Sequence, residues 1–213
     1  AVAINEDSAT VLTGTNTADS LTLVSGGSVT DAVGTSLTID NGDASITGTS
    51  ISLADNTDVL SVSGTAILNA GAGAITVASP GTANFGSLTF NTTAGAVAIN
   101  EDSATILTGT NTADSLTLVS GGSVTDAVGT SLTIENDASI AGTSISLADN
   151  SDVLRVSGTA ILNAGAGAIT VAAPGTANFG SLTFNTTAGA VAINEDSATI
   201  LTGTNTADSL TLV

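Results

Sequence analysis

The chain has no cysteine, histidine, lysine, methionine, tryptophan or tyrosine, and its one cationic side chain is Arg155. Without His or Cys, the common nucleophile–base pairs and the usual zinc ligands are missing. Without Lys, Schiff-base chemistry and a P-loop are excluded. One cation against 19 acidic residues repels phosphate backbones and anionic membrane surfaces, so neither a nucleic-acid partner nor membrane insertion is expected. No apolar run approaches the ~18 residues of a spanning helix. The start, Ala1-Val2-Ala3-Ile4, carries neither Met nor a signal peptide and is read as a processed chain or excised segment. Absence of cysteine leaves the redox compartment open, but it suits a long chain that stays unlinked until exported. A single trypsin site is compatible with an extracellular location.

Only 9% of the residues are charged, yet 42% are apolar, and mean hydropathy is +0.46. Disorder requires low hydrophobicity as well as few aromatics, so this chain packs. It does so with Val, Ile, Leu and Ala, plus four Phe. No apolar stripe at helical spacing is present.

Repetition dominates the sequence. AVAINEDSAT occupies 1–10, 96–105 and 190–199. Residues 1–95 and 96–189 differ by the pairs Val11/Ile106, Asp40/Glu135, Thr47/Ala141, Thr57/Ser151, Ser61/Arg155 and Ser79/Ala173, and by loss of Gly42. A third copy covers 190–213, so the chain divides into repeat 1, repeat 2 and the opening of repeat 3, as one continuous array. A 95-residue period fits either tandem immunoglobulin-like sandwiches or a solenoid whose coil is a fraction of 95. The 12-residue spacing of Asp7, Asp19, Asp31, Asp43 and Asp55 favours the solenoid.

Rows of 24 residues give four coils per repeat, each with three short stretches of alternating apolar residues. Their centres are Val2/Ile4, Val11/Leu12, Leu21/Leu23, Val29, Leu37/Ile39, Ile46, Ile51/Leu53, Leu60/Val62, Ile67/Leu68, Ile75/Val77, Ala83/Phe85 and Leu88/Phe90. Gly, Asn, Asp, Ser and Thr between them suit tight corners. The expected fold is all-β: a parallel, right-handed β-helix of about 24 residues and three strands per coil.

The phrases GTSLTID, TADSLTLV, GTANFGSLTFN and GAITVASPG recur through the chain, the first and last with one substitution each (GTSLTIE and GAITVAAPG). In them it resembles the giant repetitive surface proteins of bacteria, the filamentous-haemagglutinin-like and autotransporter-like β-solenoid adhesins. The resemblance implies secretion, a β-helical stalk at the cell surface, and roles in adhesion, aggregation or sheath formation. It specifies no binding residue. The calcium-binding nonapeptide GGxGxDxUx does not occur.

In rows of 24, Asp7, Asp31 and Asp55 stack, followed by Ser79; Asp102, Asp126 and Asp149 are their copies. One reading is a Ca²⁺ ladder of hard oxygen ligands. The other is solvated corner residues capping local N–H groups, and it is favoured because no complete loop of ligands is present; no other cofactor is expected. Glu6-Asp7 and Asp55/Asp58 have the composition of a glycosidase carboxylate pair. Both recur, as Glu101-Asp102, Asp149/Asp152 and Glu195-Asp196, with no aromatic platform to hold a sugar. An active site copied in every repeat is not expected, so the chain reads as no enzyme. Thr13, Thr15 and Thr17 read as outward strand positions rather than an ice-matching ladder, which other rows do not continue. Arg155, between Leu154 and Val156, should face solvent near Asp152.

The functional expectation is a non-catalytic structural fibre, stalk or sheath that associates with itself end to end. The alternative is an adhesin module whose outer face binds a glycan or a cell-surface protein.

Overall fold

In the computed structural model, residues 1–77, 81–171 and 175–213 are described. They form strands and turns, with all 24 strands in one hydrogen-bonded, parallel system. The molecule is a parallel β-solenoid.

Three ladders build the first repeat. The first stacks Val2–Glu6, Leu21–Ser25, Ala44–Thr47 and the distal halves of Val59–Asn69 and Thr82–Asn91. The second stacks Thr10–Leu12, Val29–Asp31, Ile51–Leu53, Ile75–Val77 and Ala96–Glu101. The third stacks Thr15–Ala18, Ser36–Ile39 and the proximal halves of the two long strands. Each long strand therefore turns a corner without interrupting its pairing, and the register shifts between Phe85 and Ser87.

Alternation sets the direction of each side chain, because successive strand residues face opposite sides. In Leu21–Ser25 the leucines and Ser25 are buried while Thr22 and Val24 are exposed. Leu23, Ile46, Leu68 and Phe90 are completely buried on the first ladder, and Ile51, Ile75, Val97 and Leu116 are buried on the second. Burying one such side chain contributes about 1.5–3 kcal/mol, and repetition along the axis multiplies it. The outward Thr and Ser positions carry β-branched or small polar groups that fit the pleat.

The coil is shorter and less uniform than the expected 24 residues. Val2 pairs with Leu21, Leu21 with Ala44, Ala44 with Ala66 and Ala66 with Leu88, so coils advance by 19, 23, 22 and 22 residues. Leu21–Ser25 thus opens the second coil instead of closing the first. The third side of the first coil is Thr15–Ala18, a polar strand with almost no apolar signal. Pairing fixes the strands, and corners absorb the difference in length.

One 95-residue repeat is consequently not a whole number of coils. Val2 lies on the first ladder, but its copy Val97 stacks on Ile75 in the second. Val191, the third copy, stacks on Ile169 in a ladder other than that of Val97. The ladder of Val191 runs back through Val124 and Leu107 to Leu88, on the ladder of Val2, so successive copies of the same sequence change ladder instead of stacking on one another.

The face change needs a local solution. Above the strand Thr82–Asn91, the chain at 102–104 makes no regular strand. Side chains replace the missing backbone acceptors: Glu101 Oε1 accepts from Phe85 N–H at 3.0 Å, Asp102 Oδ2 from Ala83 N–H at 3.0 Å, and Asn111 Oδ1 from Phe90 N–H at 3.0 Å. Glu195, Asp196 and Asn205 accept from Phe179, Ala177 and Phe184 in the next repeat. This is the observed role of the Glu-Asp pair: it completes hydrogen bonding at each repeat boundary. Glu101 is 1% exposed, with Thr105 Oγ1 donating to Oε2 at 2.6 Å. Burial raises its pKa, opposed by the Thr105, Phe85 and Ser103 donors.

Candidate metal centre

The row-wise carboxylate ladder does not form. With the first two coils 19 residues apart, Glu6 pairs with Ser25 and Asp31 with Leu12, which leaves Asp7 away from Asp31. Asp7 is exposed in the first coil, and its copy Asp102 is engaged by the Ala83 N–H. Ser79 lies outside the described residues.

A different acidic constellation forms at the corner between the second and third ladders. Asp31 ends the strand Val29–Asp31. Asp55 and Asp58 belong to the loop that follows Ile51–Leu53 in the next coil. One carboxylate oxygen from each of Asp31, Asp55 and Asp58 lies within 4.8 Å of the others. Asp126, Asp149 and Asp152 repeat the arrangement in the second copy. Asp31, Asp55, Asp126 and Asp149 are therefore brought together as candidate ligands, whereas Asp7 and Asp102 are not. Asp58 and Asp152 complete the groups. The Asp-x-x-Asp spacing of the loop was the available signal for them, but the 24-residue rows directed attention along the axis instead.

Backbone donors position each carboxylate. Ala54 N–H donates to Asp31 Oδ2 at 2.8 Å, and Thr35 N–H donates to Asp58 Oδ1 at 2.9 Å, joined by the N–H of Gly34. Asp58 thus reaches back one coil to cap the turn after Asp31. Asp55 accepts from the Asn56 side chain. The loop takes left-handed backbone angles at Ala54 (φ 58°) and Asn56 (φ 61°), and Ala148 and Asn150 repeat them. Asn tolerates that region, but Ala does so at a cost.

The remaining oxygens are the informative ones. Asp58 is fully buried, and its Oδ2 has no hydrogen-bond partner; Asp31 Oδ1 is also buried without one. Asp152 Oδ2 and Asp126 Oδ1 repeat the pattern. Desolvation raises the pKa of Asp31, opposed by the Ala54 N–H and reinforced by the charges of Asp58 and Asp55. Burial pushes Asp126 up to about 6, with Asp152 and Asp149 adding to the effect. Arg155 does not relieve the charge. It is exposed and stacks between Thr133 and Asn178, while Asp152 Oδ1 accepts from Gly129 and Thr130.

No protein-family model, curated protein or solved structure matches the chain.

Proposed function

We propose that the chain is a non-catalytic structural segment of an extracellular fibre, stalk or sheath, of the kind built by filamentous-haemagglutinin-like and autotransporter-like surface proteins. The observation that carries this reading is the continuity of the ladders across both repeat boundaries. Ile75–Val77 passes its pairing to Ala96–Glu101, and Ile169–Val171 passes it to Ala190–Ile193. Ladders that pass through a boundary transmit load from coil to coil across inter-strand hydrogen bonds, and the stability of the rod is a sum over neighbouring coils.

The partner in this reading is further solenoid. The first coil exposes Val2 and Ile4, and the last exposes Leu201 and Leu210. Strand edges and apolar side chains open in this way recruit additional coils. Glu6, Asp7 and Asn16 are the first-copy equivalents of Glu101, Asp102 and Asn111. They offer the same acceptors to a stacked coil of the Ala83–Phe90 type.

The change of ladder from one repeat to the next weighs against a one-sided adhesive surface, because equivalent outward residues of successive repeats do not line up on one face. Electron microscopy of the purified chain, with layer-line analysis, tests the proposal. A continuous thin rod or filament with a ~4.8 Å axial spacing is expected. Isolated particles that retain a defined glycan or protein in a pull-down would transfer the assignment to an adhesin module.

A further inference from the structure

The two acidic corners pose an electrostatic problem that the chain's own side chains do not solve. Each gathers three carboxylates within 4.8 Å, and two of the three residues carry a buried oxygen with no hydrogen-bond partner. A buried polar atom without a partner costs about 1–3 kcal/mol, and more when charged. The sequence contains one cation, and Arg155 is committed to an outward ladder position. The same orphaned atoms occur in both copies, so the feature belongs to the fold of the repeat.

We propose that each corner is a Ca²⁺ site, formed by Asp31, Asp55 and Asp58 in the first repeat and by Asp126, Asp149 and Asp152 in the second. Ca²⁺ takes six to eight oxygens at about 2.3–2.6 Å, so ligands on opposite sides of the ion lie up to about 5 Å apart. A 4.8 Å group falls within that span. Octahedral Mg²⁺, with bonds of about 2.0–2.1 Å, requires tighter closure. The backbone bonds to Asp31 Oδ2 and Asp58 Oδ1 leave Asp31 Oδ1 and Asp58 Oδ2 for the ion. Asp55 approaches from the exposed side, and water completes the shell. The ligands come from consecutive coils, so the ion fastens one coil to the next at a corner where no strand pairing is available. This site is independent of the fibre role.

The experiment is calorimetric titration of the whole 213-residue chain with CaCl₂ in 0.15 M NaCl, after treatment with a chelator. Two saturable sites are expected, with Kd on the order of 10⁻⁴ M or tighter. Asp55→Asn removes one site or weakens it at least tenfold, and Asp55→Asn with Asp149→Asn removes or weakens both, with far-UV circular dichroism unchanged. Hydrogen exchange on the unmodified chain provides a second readout. Ca²⁺ slows the Thr35, Ala54, Thr130 and Ala148 amides and leaves those of Leu23 and Leu118 unchanged. Absence of saturable uptake overturns the proposal. So does full stoichiometry in the folded double variant, unchanged exchange at the corner amides, or preference for Mg²⁺ over Ca²⁺.

Discussion

Glu6, Glu101 and Glu195 occupy the same place in three copies of AVAINEDSAT but have different surroundings, which makes the repeat its own control. Glu101 has a coil beneath it, is 1% exposed and accepts from Phe85 N–H, Ser103 Oγ and Thr105 Oγ1. Glu195 keeps the Phe179 and Ser197 bonds, but its Oε2 is unpartnered. Glu6 is exposed and accepts only from Ser8. Glu101→Ala leaves a buried N–H and a buried hydroxyl without acceptors, each worth about 1–3 kcal/mol. Releasing a desolvated carboxylate offsets part of that. The expected net loss is about 2–4 kcal/mol for Glu101→Ala and about 1–2 for Glu195→Ala, against under about 0.5 for Glu6→Ala. For a chain of this size the first corresponds to a fall of roughly 5–12 °C in Tm. With Trp and Tyr absent, far-UV circular dichroism is the natural probe, and the Phe85 amide should lose hydrogen-exchange protection in Glu101→Ala alone. Equal effects at positions 6 and 101 would refute the boundary role assigned to this carboxylate.

Three further outcomes are expected. Gly86→Ala should destabilise by about 1–3 kcal/mol in urea melts, because its Cβ would stand 2.1 Å from the Ser63 carbonyl oxygen of the coil below; a neutral result would mean that the coils are further apart. Phe90→Ala empties a fully buried position and should cost about 3–5 kcal/mol in the same assay, whereas a loss below about 1 would place Phe90 at the surface. In chelator, the protein should become less stable as pH rises from the ordinary Asp value of 3.8 through about 6, because the folded state holds its proton on Asp126 more tightly than the unfolded state does. The full shift corresponds to about 3 kcal/mol, which solvent screening of this half-buried group reduces to about 1–2. Asp126→Asn should flatten that slope in thermal melts at pH 4.5 and 7.5, and a wild-type protein more stable at pH 7.5 would contradict the sign.

Alternation of apolar residues located strands well. Every centre from Val2/Ile4 to Leu88/Phe90 falls in a strand, because inward Val, Ile and Leu are what a narrow interior selects. Thr15–Ala18 carries no apolar centre, since its inward residues are Asn16 and Ala18, and only the outward Thr15 and Thr17 marked it as strand. The coil length was misjudged for a related reason. Rows of 24 follow the spacing of the aspartates, whereas register follows strand pairing, and corners vary from coil to coil without moving the strands. The same error separated Asp58 from Asp31: a ladder along the axis was expected where a loop folds back across one coil. Arg155 behaved as its neighbours dictate, since buried Leu154 and Val156 force it outward. Its expected neighbour Asp152 had turned inward to the turn at Gly129 and Thr130.

Register between coils is the central claim, and the cysteine-free sequence allows it to be tested by cross-linking. Thr65 and Ser87 are direct ladder partners 22 residues apart, with hydroxyl oxygens 2.9 Å from each other. Thr89, 24 residues from Thr65, pairs instead with Ile67 and lies about 6.6 Å further along the strand. Oxidation of Thr65→Cys/Ser87→Cys should close an intramolecular disulfide much faster than Thr65→Cys/Thr89→Cys in the folded protein, with the difference abolished in denaturant. Faster closure of the 65/89 pair would restore the 24-residue coil, and failure of both pairs to close would contradict the stacked solenoid itself.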